Sequence, residues 1–445
     1  MVSVQTEGVQ ERAERVRKDA NASVRPVLIS STDYMGGASR SAHRLHEGLR
    51  RLGCESRMFV GAKYRSDPDV VSYRPTTNMR ARVKRMVRQV WLERQANRYL
   101  TTSPAARTLY ADDRTRWGDD FLAQIPQADV IHLHWIGGFV DYGAFFGWLP
   151  TTMPLAFTLH DMANFTGGCC FDLECGKFMK GCGACPQLGS RDNDDLTSRV
   201  WRRKKRFYAG LRPERVRVVA PCTWLANEAK RSELLGRFEC TAIPNGLDME
   251  VFQPRERHAA RELAGVPMDA TVVLFMADNI NQYRKGFHLL AQALEQIGEE
   301  RELFLLSIGK DPTPELGRFR HVHIDDLTND RTLSFIYSAA DIFVLPSLAD
   351  NFPNTALEAI ACGIPVAAFD SGGVPEMVRP GVTGWLAPRG DVTMLKEAMV
   401  RLLDDPAKRA EMSANCRRVA TTEYDVVLQA KRYIQVYEDV SGALS

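Results

Sequence analysis

The stretch "DIFVLPSLADNFPNTALEAIACGIPVAAFD" (residues 341–370) contains two short apolar runs separated by a loop and a helix-like segment. The two runs are almost continuously apolar, which is typical of strands buried on both faces of a parallel sheet. Pro353 suits the first position of a helix, where its missing N–H would be unpaired anyway, and Gly363 suits the end of that helix. The order strand, helix, strand therefore predicts a βαβ unit with two parallel strands.

The same alternation of apolar runs and helix-like segments extends through most of the chain. It begins near residue 25, is interrupted by the polar, proline-containing stretch 248–260, and restarts near residue 270. This pattern predicts two Rossmann-like, doubly wound α/β domains that face a central cleft, covering residues 25–248 and 249–423. Ligands of such sheets bind at the carboxyl ends of the strands.

The composition is that of an ordinary globular protein. The chain has 445 residues, of which 44% are hydrophobic and 25% charged, and no apolar run approaches the roughly 18–20 residues that span a bilayer. Residues 1–24 are polar, lack the apolar segment of a secretory signal and are expected to form a disordered arm. We therefore expect a cytoplasmic protein.

Positive charge is concentrated in the first half of the chain. Residues 1–248 hold 38 Lys and Arg against 27 Asp and Glu, whereas residues 249–445 hold 20 against 28. Much of the excess lies in residues 80–98 and 199–207. The first of these segments contains Val83, Val87, Val90 and Trp91. These apolar side chains share one helical face with the basic residues around them.

A basic amphipathic helix of this kind can lie on an anionic membrane surface. The alternative is a solvated helix whose valines and Trp91 pack against its own domain. Nucleic acid is not expected as a partner, because no nucleic-acid-binding module is present.

Two carboxylates flank the predicted helix of the opening stretch. Asp350 precedes the helix, Glu358 lies more than one turn inside it, and the N–H groups of residues 354–356 lie between them at the positive end of the helix dipole. This arrangement suits a ligand with hydroxyls at both ends and an anion in the middle, such as a nucleotide-diphosphate sugar. The alternative is a capped helix with surface acids.

Other strand ends carry compatible chemistry. Arg284 and Lys285 follow a predicted strand and could neutralise a diphosphate leaving group. Gly36 and Gly37, in "YMGGASR", form a glycine turn that opens a helix and lets backbone amides approach a ligand. "SGGVPEMV" (371–378) provides a second turn of this type.

A cysteine cluster occupies "GGCCFDLECGKFMKGCGACPQL" (167–188). Its "CGAC" end suits a tetrahedral zinc corner, and we expect a structural zinc site formed by Cys169, Cys175, Cys182 and Cys185. Reduced buried thiols are the alternative, and disulfides are disfavoured in the cytosol.

"DNFPNTALEAIACGIPVAAFDSGGVPE", "IPNGLDMEVFQP", "RKGFHLLAQAL" and "GVTGWLAP" together resemble the donor-binding signature of retaining family-4 glycosyltransferases, and "GGASR" and "FTLHD" fit the same family. The resemblance covers roughly residues 25–440. It implies the two-domain GT-B fold, with an acceptor-binding first domain and a second domain that binds the nucleotide sugar. It also implies that the last helix, residues 424–445, packs back on the first domain.

The resemblance also implies roles for individual residues. Asp350 stands where the family usually has Glu and would bind hydroxyls of the donor sugar, while Glu358 would hold the ribose hydroxyls. Arg284 and Lys285 would stabilise the departing diphosphate. His160, in "TLHD", would contact the transferred sugar near the reacting carbon, although it could instead be a structural histidine bonded to Asp161. The implied catalytic residues are His160, Arg284, Lys285 and Asp350. The implied donor-binding residues are Gly36, Gly37, Arg284, Lys285, Asp350, Asn351, Phe352, Asn354, Thr355 and Glu358.

The expected reaction is retaining transfer of a sugar from a UDP- or GDP-sugar to a hydroxyl of a glycan or a polyprenyl-linked saccharide, as in cell-surface polysaccharide biosynthesis. No catalytic metal is expected, because no Asp-x-Asp element is placed to hold one at the phosphates. The enzyme is expected in the cytoplasm, peripheral to the inner face of the membrane. A nucleotide-sugar epimerase of the same fold and a non-catalytic sugar-nucleotide-binding module remain alternatives.

Overall fold

The computed structural model describes residues 24–100, 110–298, 301–311, 319–325 and 327–442. The predicted disordered arm lies outside the described residues, except for residue 24.

Short buried strands alternate with helices along the chain, as the apolar pattern predicts. The strands are β1 Pro26–Thr32, β2 Arg57–Ala62, β3 Val70–Ser72, β4 Val130–Leu133, β5 Leu155–Thr158, β6 Val216–Ala220, β7 Glu239–Ala242, β8 Thr271–Asn279, β9 Leu303–Lys310, β10 Arg320–Ile324, β11 Ile342–Leu345, β12 Val366–Phe369 and β13 Gly384–Ala387. The helices are α1 Gly37–Arg51, α2 Met79–Leu100, α3 Tyr142–Trp148, α4 Leu196–Ala209, α5 Thr223–Arg231, α6 Arg257–Ala264, α7 Phe287–Glu295, α8 Asp330–Ala339, α9 Asn354–Ala361, α10 Val374–Met377, α11 Val392–Asp404, α12 Pro406–Glu423 and α13 Val426–Gly442. Short 3-10 turns occur at Leu122–Gln124, Ala163–Phe165, Lys177–Met179, Pro186–Leu188, Pro213–Arg215 and Tyr283–Lys285.

The described residues form two compact units, one that comprises those up to residue 243 and from 427 onward, and the other those between 244 and 426. The second unit thus begins a few residues before the position that the sequence suggested. The reason is local: the N–H of Leu247 donates to the carbonyl of Tyr424 at 2.8 Å, and the N–H of Val426 donates to the carbonyl of Leu247 at 2.9 Å.

The first unit contains a seven-stranded sheet in the order β3-β2-β1-β4-β5-β6-β7, and all of its strand pairs are parallel. Strand order reverses between β1 and β4, where Leu28 pairs with His132. A reversal of this kind leaves a crevice at the carboxyl ends of the two strands.

The second unit contains a six-stranded sheet in the order β10-β9-β8-β11-β12-β13, again with parallel pairs throughout. Its strand order reverses between β8 and β11, where Phe343 pairs with Leu274. Two doubly wound sheets confirm the predicted fold class.

The last helix packs against the sheet of the first unit. The buried side chains of Tyr433, Val436, Tyr437 and Val440 belong to the same hydrophobic cluster as Leu28 of β1. Burial of each such side chain contributes about 1.5–3 kcal/mol to stability, so α13 is an integral part of this core.

None of the helices in the described ranges is both long and apolar enough to cross a membrane.

Candidate functional site

The loop after β8 carries two cations and packs on the segment after β11. It contains the 3-10 turn Tyr283–Lys285, and Gly286 follows with a φ of +73°. A Cβ at Gly286 would lie 1.9 Å from the carbonyl oxygen of Pro346, so a larger residue would push the two loops apart. The N–H of Leu348 donates to the carbonyl of Arg284 at 2.8 Å and completes the contact. Both loops therefore meet at the point where strand order reverses.

Three charged side chains form a compact cluster there. The Nζ of Lys285 donates to Oδ2 of Asp350 at 2.7 Å, and Nη1 of Arg284 lies 3.5 Å from the same oxygen. All three side chains are less than 20% exposed. Burial lowers the pKa of Lys285, and the negative charge of Asp350 only partly offsets this. Burial alone would raise the pKa of Asp350, but the charges of Lys285 and Arg284 outweigh it and lower that pKa.

The second predicted carboxylate, Glu358, lies on α9 and is only 2% exposed. The hydroxyl of the buried Tyr337 donates to its Oε2 at 3.0 Å. Two details differ from the sequence-based expectation. Pro353 is the N-cap of α9 rather than its first helical residue, and the N–H of Ala356 donates to the carbonyl of Pro353 at 3.2 Å. The amide of Ala356 is thus already engaged, because the first turn of α9 tightens on its cap.

The other predicted donor-binding residues of this unit surround the start of α9. Asn351 and Phe352 are buried, and the ring of Phe352 lies edge-on to Tyr424 with 6.0 Å between centroids. Oδ1 of Asn354 accepts from Nδ2 of Asn245 at 3.2 Å, and Thr355 is half-buried. The structure therefore brings Arg284, Lys285 and Asp350 into direct contact and places Glu358 farther along the helix.

In the first unit, the predicted residues lie at the ends of β1 and β5. Gly36 has a φ of +83° and caps α1, which begins at Gly37. His160 follows β5 and is half-buried, and its Nε2 lies 3.0 Å from Nδ1 of His134, which follows β4. The carboxylate of Asp161 accepts from the N–H of Ala163 at 2.7 Å.

A buried polar network lies behind these two histidines. Nδ1 of His132 lies 2.7 Å from the hydroxyl of Tyr437, and its Nε2 lies 2.7 Å from Oγ1 of Thr158. Oγ1 of Thr158 in turn lies 2.7 Å from the hydroxyl oxygen of Tyr433. The rings of His132 and His134 are 4.1 Å apart. The last helix thus contacts the residues that support His160.

Burial keeps these histidines neutral at physiological pH. It lowers the pKa of His160 to about 4, and burial followed by the charge of a protonated His160 lowers that of His132 to about 3. The pKa of His134 is also lowered, first by burial and then by its histidine neighbours. Nε2 of His134 is buried and has no hydrogen-bond partner within the described ranges. Since an orphaned buried N–H is rarer than a bare acceptor, we assign the proton of His134 to Nδ1, which donates to His160.

The cysteine cluster follows the 3-10 turn after β5. Cys169, Cys175, Cys182 and Cys185 line one cavity of about 20 Å³. However, no group of three or more His, Cys, Asp and Glu side chains in the described part of the chain could hold a metal ion. The predicted structural zinc is therefore not supported.

The exposure of the four cluster thiols is mixed: Cys185 is buried, whereas Cys169, Cys175 and Cys182 are half-buried. All ten cysteines are free. Burial raises the pKa of Cys169 and Cys185, and raises that of Cys182 to about 11. Thiols with raised pKa values stay protonated at neutral pH.

Both units match family models. Residues 35–251 match the family described as Glycosyltransferase Family 4, and residues 270–405 match Glycosyl transferases group 1. The chain is a family-4 glycosyltransferase. These two matches include the ends of β5, β8 and β11, on which the site residues lie.

Curated relatives of this glycosyltransferase share its class of activity. It is 29% identical over 332 residues to the D-inositol 3-phosphate glycosyltransferase of Thermobispora bispora, covering 70% of each chain. It is 28% identical over 270 residues to the MMP alpha-(1->4)-mannosyltransferase of Mycolicibacterium hassiacum, covering 57% of this chain and 63% of that one. The glycosyltransferase is therefore an enzyme of the transferase class.

Solved structures share its fold. Sucrose-phosphate synthase from Thermosynechococcus elongatus superposes with a TM-score of 0.64 and 22% identity, over 94% of this chain and 100% of that one. The Anabaena protein Alr3699/HepE, in complex with UDP and glucose, gives a TM-score of 0.61 and 16% identity over 93% and 99%. At these identities, the likeness establishes the GT-B fold of the glycosyltransferase and nothing finer.

The sequence-based reasoning did not single out three residues that support the candidate site of this glycosyltransferase. The histidines of "IHLHW" stand two residues apart at a strand end, so they share one face of the sheet, and this spacing was an available signal for His134. Gly286 stands out in the sequence only as part of the motif "RKGFHLLAQAL". Tyr337 gave no signal, because its contact with Glu358 joins two different helices.

Proposed function

We propose that this glycosyltransferase transfers a sugar, with retention of anomeric configuration, from a nucleotide-diphosphate sugar to a hydroxyl of a glycan or lipid-linked saccharide. The observation that carries the proposal is the cluster of Arg284, Lys285 and Asp350 at the crevice between β8 and β11. Ligands of doubly wound sheets bind at such reversal points.

The charges of the cluster fit a donor of this class. Two cations share one carboxylate, so the group keeps a net positive charge that a diphosphate can neutralise. Asp350 can accept hydroxyl hydrogen bonds from the transferred sugar once a phosphate has drawn Lys285 or Arg284 toward itself. Glu358, oriented by Tyr337, is the proposed acceptor for the ribose hydroxyls. The complexes of the Anabaena protein with UDP and with UDP-glucose favour a UDP-sugar over a GDP-sugar as the first donor to test.

The proposed chemistry depends on stabilising the leaving group. In the transition state, negative charge accumulates on the departing diphosphate, and preorganised cations in a half-buried site lower the barrier most effectively there. His160 is neutral and is proposed to donate or accept a hydrogen bond near the reacting carbon. The acceptor hydroxyl would lose its proton to the leaving phosphate on the same face of the sugar. We propose no role for a divalent metal.

The first unit is the proposed acceptor-binding domain and the second the donor-binding domain. The relatives named inositol phosphate glycosyltransferases and mannosyltransferase make a polyol or sugar hydroxyl the acceptor class to expect. A polyprenyl-linked acceptor, and a peripheral position on the inner face of the cell membrane, belong to the same proposal.

The first experiment measures donor binding by isothermal calorimetry with UDP, GDP, UDP-glucose and GDP-mannose. We expect one nucleotide family to bind, and Glu358→Gln to weaken that binding by about tenfold or more, because a charge-assisted hydrogen bond to ribose contributes about 1.5–3 kcal/mol. Glu411→Gln, on the surface helix α12, is the matched control. Unchanged affinity of Glu358→Gln would contradict the ribose assignment.

The second experiment follows turnover of the bound donor by NMR, with and without saccharide or polyprenyl-linked acceptors, in the presence of EDTA. We expect a glycoside with the anomeric configuration of the donor. A product of inverted configuration would overturn the retaining mechanism. Conversion of the donor to an isomer without acceptor would identify an epimerase, and binding without turnover would identify a binding module.

A further inference from the structure

Helix α2 is attached to its own unit through its charged face. Nη1 of Arg85 donates to Oδ2 of Asp120 at 3.0 Å. Arg88 donates through Nη2 to Oδ2 of Asp141 at 2.6 Å and through Nε to the carbonyl of Thr115 at 2.7 Å. A surface helix normally turns its apolar stripe inward, whereas here Arg85 and Arg88 turn inward and make polar contacts.

The opposite face of α2 is apolar and exposed. Met79, Val83, Met86, Val87 and Val90 are spaced three or four residues apart, and their side chains are between 45% and 73% exposed. This spacing forms a continuous stripe about 17 Å long, at a rise of about 1.5 Å per residue. Isolated exposed apolar residues need no explanation, but a contiguous stripe of five indicates a surface that something covers.

Cations border this stripe. Arg80, Arg82 and Arg94 are exposed and take part in no ion pair within the described part of the chain. A groove of about 520 Å³ beside the stripe is lined by Arg82 and Met86, together with Arg116 and other residues of the first unit. Arginine beside apolar side chains suits a ligand that presents phosphate and hydrocarbon together.

The second basic segment, residues 199–207 in α4, has the opposite arrangement. Its apolar residues Val200 and Trp201 are buried. Nε of Arg203 donates to Oδ2 of Asp113 at 2.8 Å, and Lys205 pairs with Glu233. This segment therefore has no outward apolar stripe, and part of its charge is neutralised within its own unit.

We propose that the outward face of α2 inserts into the surface of an anionic lipid bilayer, with the stripe at the acyl-chain boundary and the flanking arginines at lipid phosphates. The positive charge around the stripe favours an anionic bilayer as the occupant of this face. A stripe with an uncharged rim would suit a second copy of the chain equally well. The proposal rests on the proposed function in one respect: a lipid-linked acceptor would bring the enzyme to a membrane surface.

The test is co-sedimentation of the full chain with vesicles of phosphatidylcholine alone or with 30% phosphatidylglycerol. We expect binding only to the anionic vesicles, and at least tenfold weaker binding for Met86→Glu/Val87→Glu. The matched control is Leu263→Glu/Met268→Glu, which places the same charges at exposed apolar positions of the second unit and should change binding less than twofold. Arg82→Gln/Arg94→Gln should weaken binding several-fold, and less so at high salt.

Three outcomes would overturn the proposal: equal binding to neutral vesicles, unchanged binding of Met86→Glu/Val87→Glu, or a wild-type dimer that this variant dissociates while no vesicle binds. Circular dichroism and nucleotide affinity are measured on the same samples. If vesicle binding fails while nucleotide binding persists, only the lipid surface is wrong. If nucleotide binding fails while vesicle binding persists, only the proposed function is wrong.

Discussion

The strand ends of the two sheets carry opposite chemistry on the same architecture. In the second unit, Arg284, Lys285 and Asp350 form a half-buried ionic cluster where strand order reverses. In the first unit, His134 and His160 are joined by a hydrogen bond and stay neutral, because burial lowers the pKa of both. We propose that the first of these edges neutralises an anion, whereas the two histidines of the second offer hydrogen-bonding groups without charge.

This difference indicates where catalytic power can come from. A histidine with a pKa of about 4 is too weak a base to deprotonate a sugar hydroxyl effectively at neutral pH. We therefore propose that electrostatic stabilisation by Arg284, Lys285 and Asp350, the ionic edge, provides most of the rate enhancement. This proposal agrees with the proposed removal of the acceptor proton by the leaving phosphate.

The test with the largest expected effect removes a cation from the ionic edge. We expect Lys285→Ala to lower kcat by about 10²–10³, the usual cost of losing one preorganised group that stabilises developing charge. Steady-state kinetics with the identified donor measure the effect. Lys408→Ala removes a lysine from the ion pair with Glu411 on α12 and serves as the control. A fall in kcat of less than threefold for Lys285→Ala would mean that the ionic edge is not the source of catalysis.

A second test varies the pH and addresses His134 and His160, the neutral edge of the first unit. The folded-state pKa of His160 is lowered, so its contribution to stability is full above about pH 6.5 and is lost as the pH falls toward 4. Between pH 8 and pH 5, the wild type should lose about 2 kcal/mol more unfolding free energy than His160→Gln, which cannot be protonated. Urea unfolding at both pH values measures this difference.

The control for the pH test is His258→Gln, because His258 is exposed on α6. Its unfolding free energy at pH 8 should match that of the wild type, which would show that a change from His to Gln at an exposed position does not by itself alter stability. If the unfolding free energy of His160→Gln depends on pH as that of the wild type does, burial does not keep His160 neutral in solution.

The smallest expected effect concerns the residue that orients Glu358. Tyr337→Phe removes one hydrogen bond to the carboxylate, which is worth about 1 kcal/mol, so KM for the donor should rise about fivefold while kcat stays unchanged. The increase should vanish with a donor that lacks both ribose hydroxyls, because a purely structural defect would affect both donors equally.

The matched control for Tyr337→Phe is Tyr208→Phe. Tyr208 is another buried tyrosine, whose hydroxyl donates to the carbonyl of Asn164 at 3.0 Å in the first unit. This variant should leave KM for the donor unchanged. A rise in KM for Tyr337→Phe that persists with the deoxy donor would contradict the role of Glu358 at ribose.

Most strands could be predicted from the sequence because buried parallel strands are continuous apolar runs. "DIFVLPS" and "IPVAAFD" correspond to β11 and β12 within a residue or two. Two strands have no clear apolar run in the sequence: β3 has only three residues, and β13 contains a glycine whose Cβ would lie 1.9 Å from the carbonyl oxygen of Val366. Short edge strands carry too little local signal to be distinguished from loops.

The candidate site was predictable to a similar degree. Motifs pointed to Arg284, Lys285 and Asp350, whose mutual contacts the structure describes, although their roles remain proposals. Sequence reasoning also assigned four cysteines to zinc, and the geometry does not support this. Spacing along a chain predicts which thiols are near one another, but whether they can surround an ion depends on backbone details of the loop that joins them.

The order of apolar runs and the residues at the ends of those runs determined the two doubly wound sheets and the chemistry of their edges, because strand and helix periodicity is a local property of a chain. Only the tertiary structure decided which way the amphipathic helix α2 turns. Periodicity identifies residues that share a face, but that face points outward here because Arg85 and Arg88 find carboxylates on distant segments. Tertiary contacts likewise decided that the histidines stay neutral, since the partner of His132 on α13 lies 305 residues away along the chain.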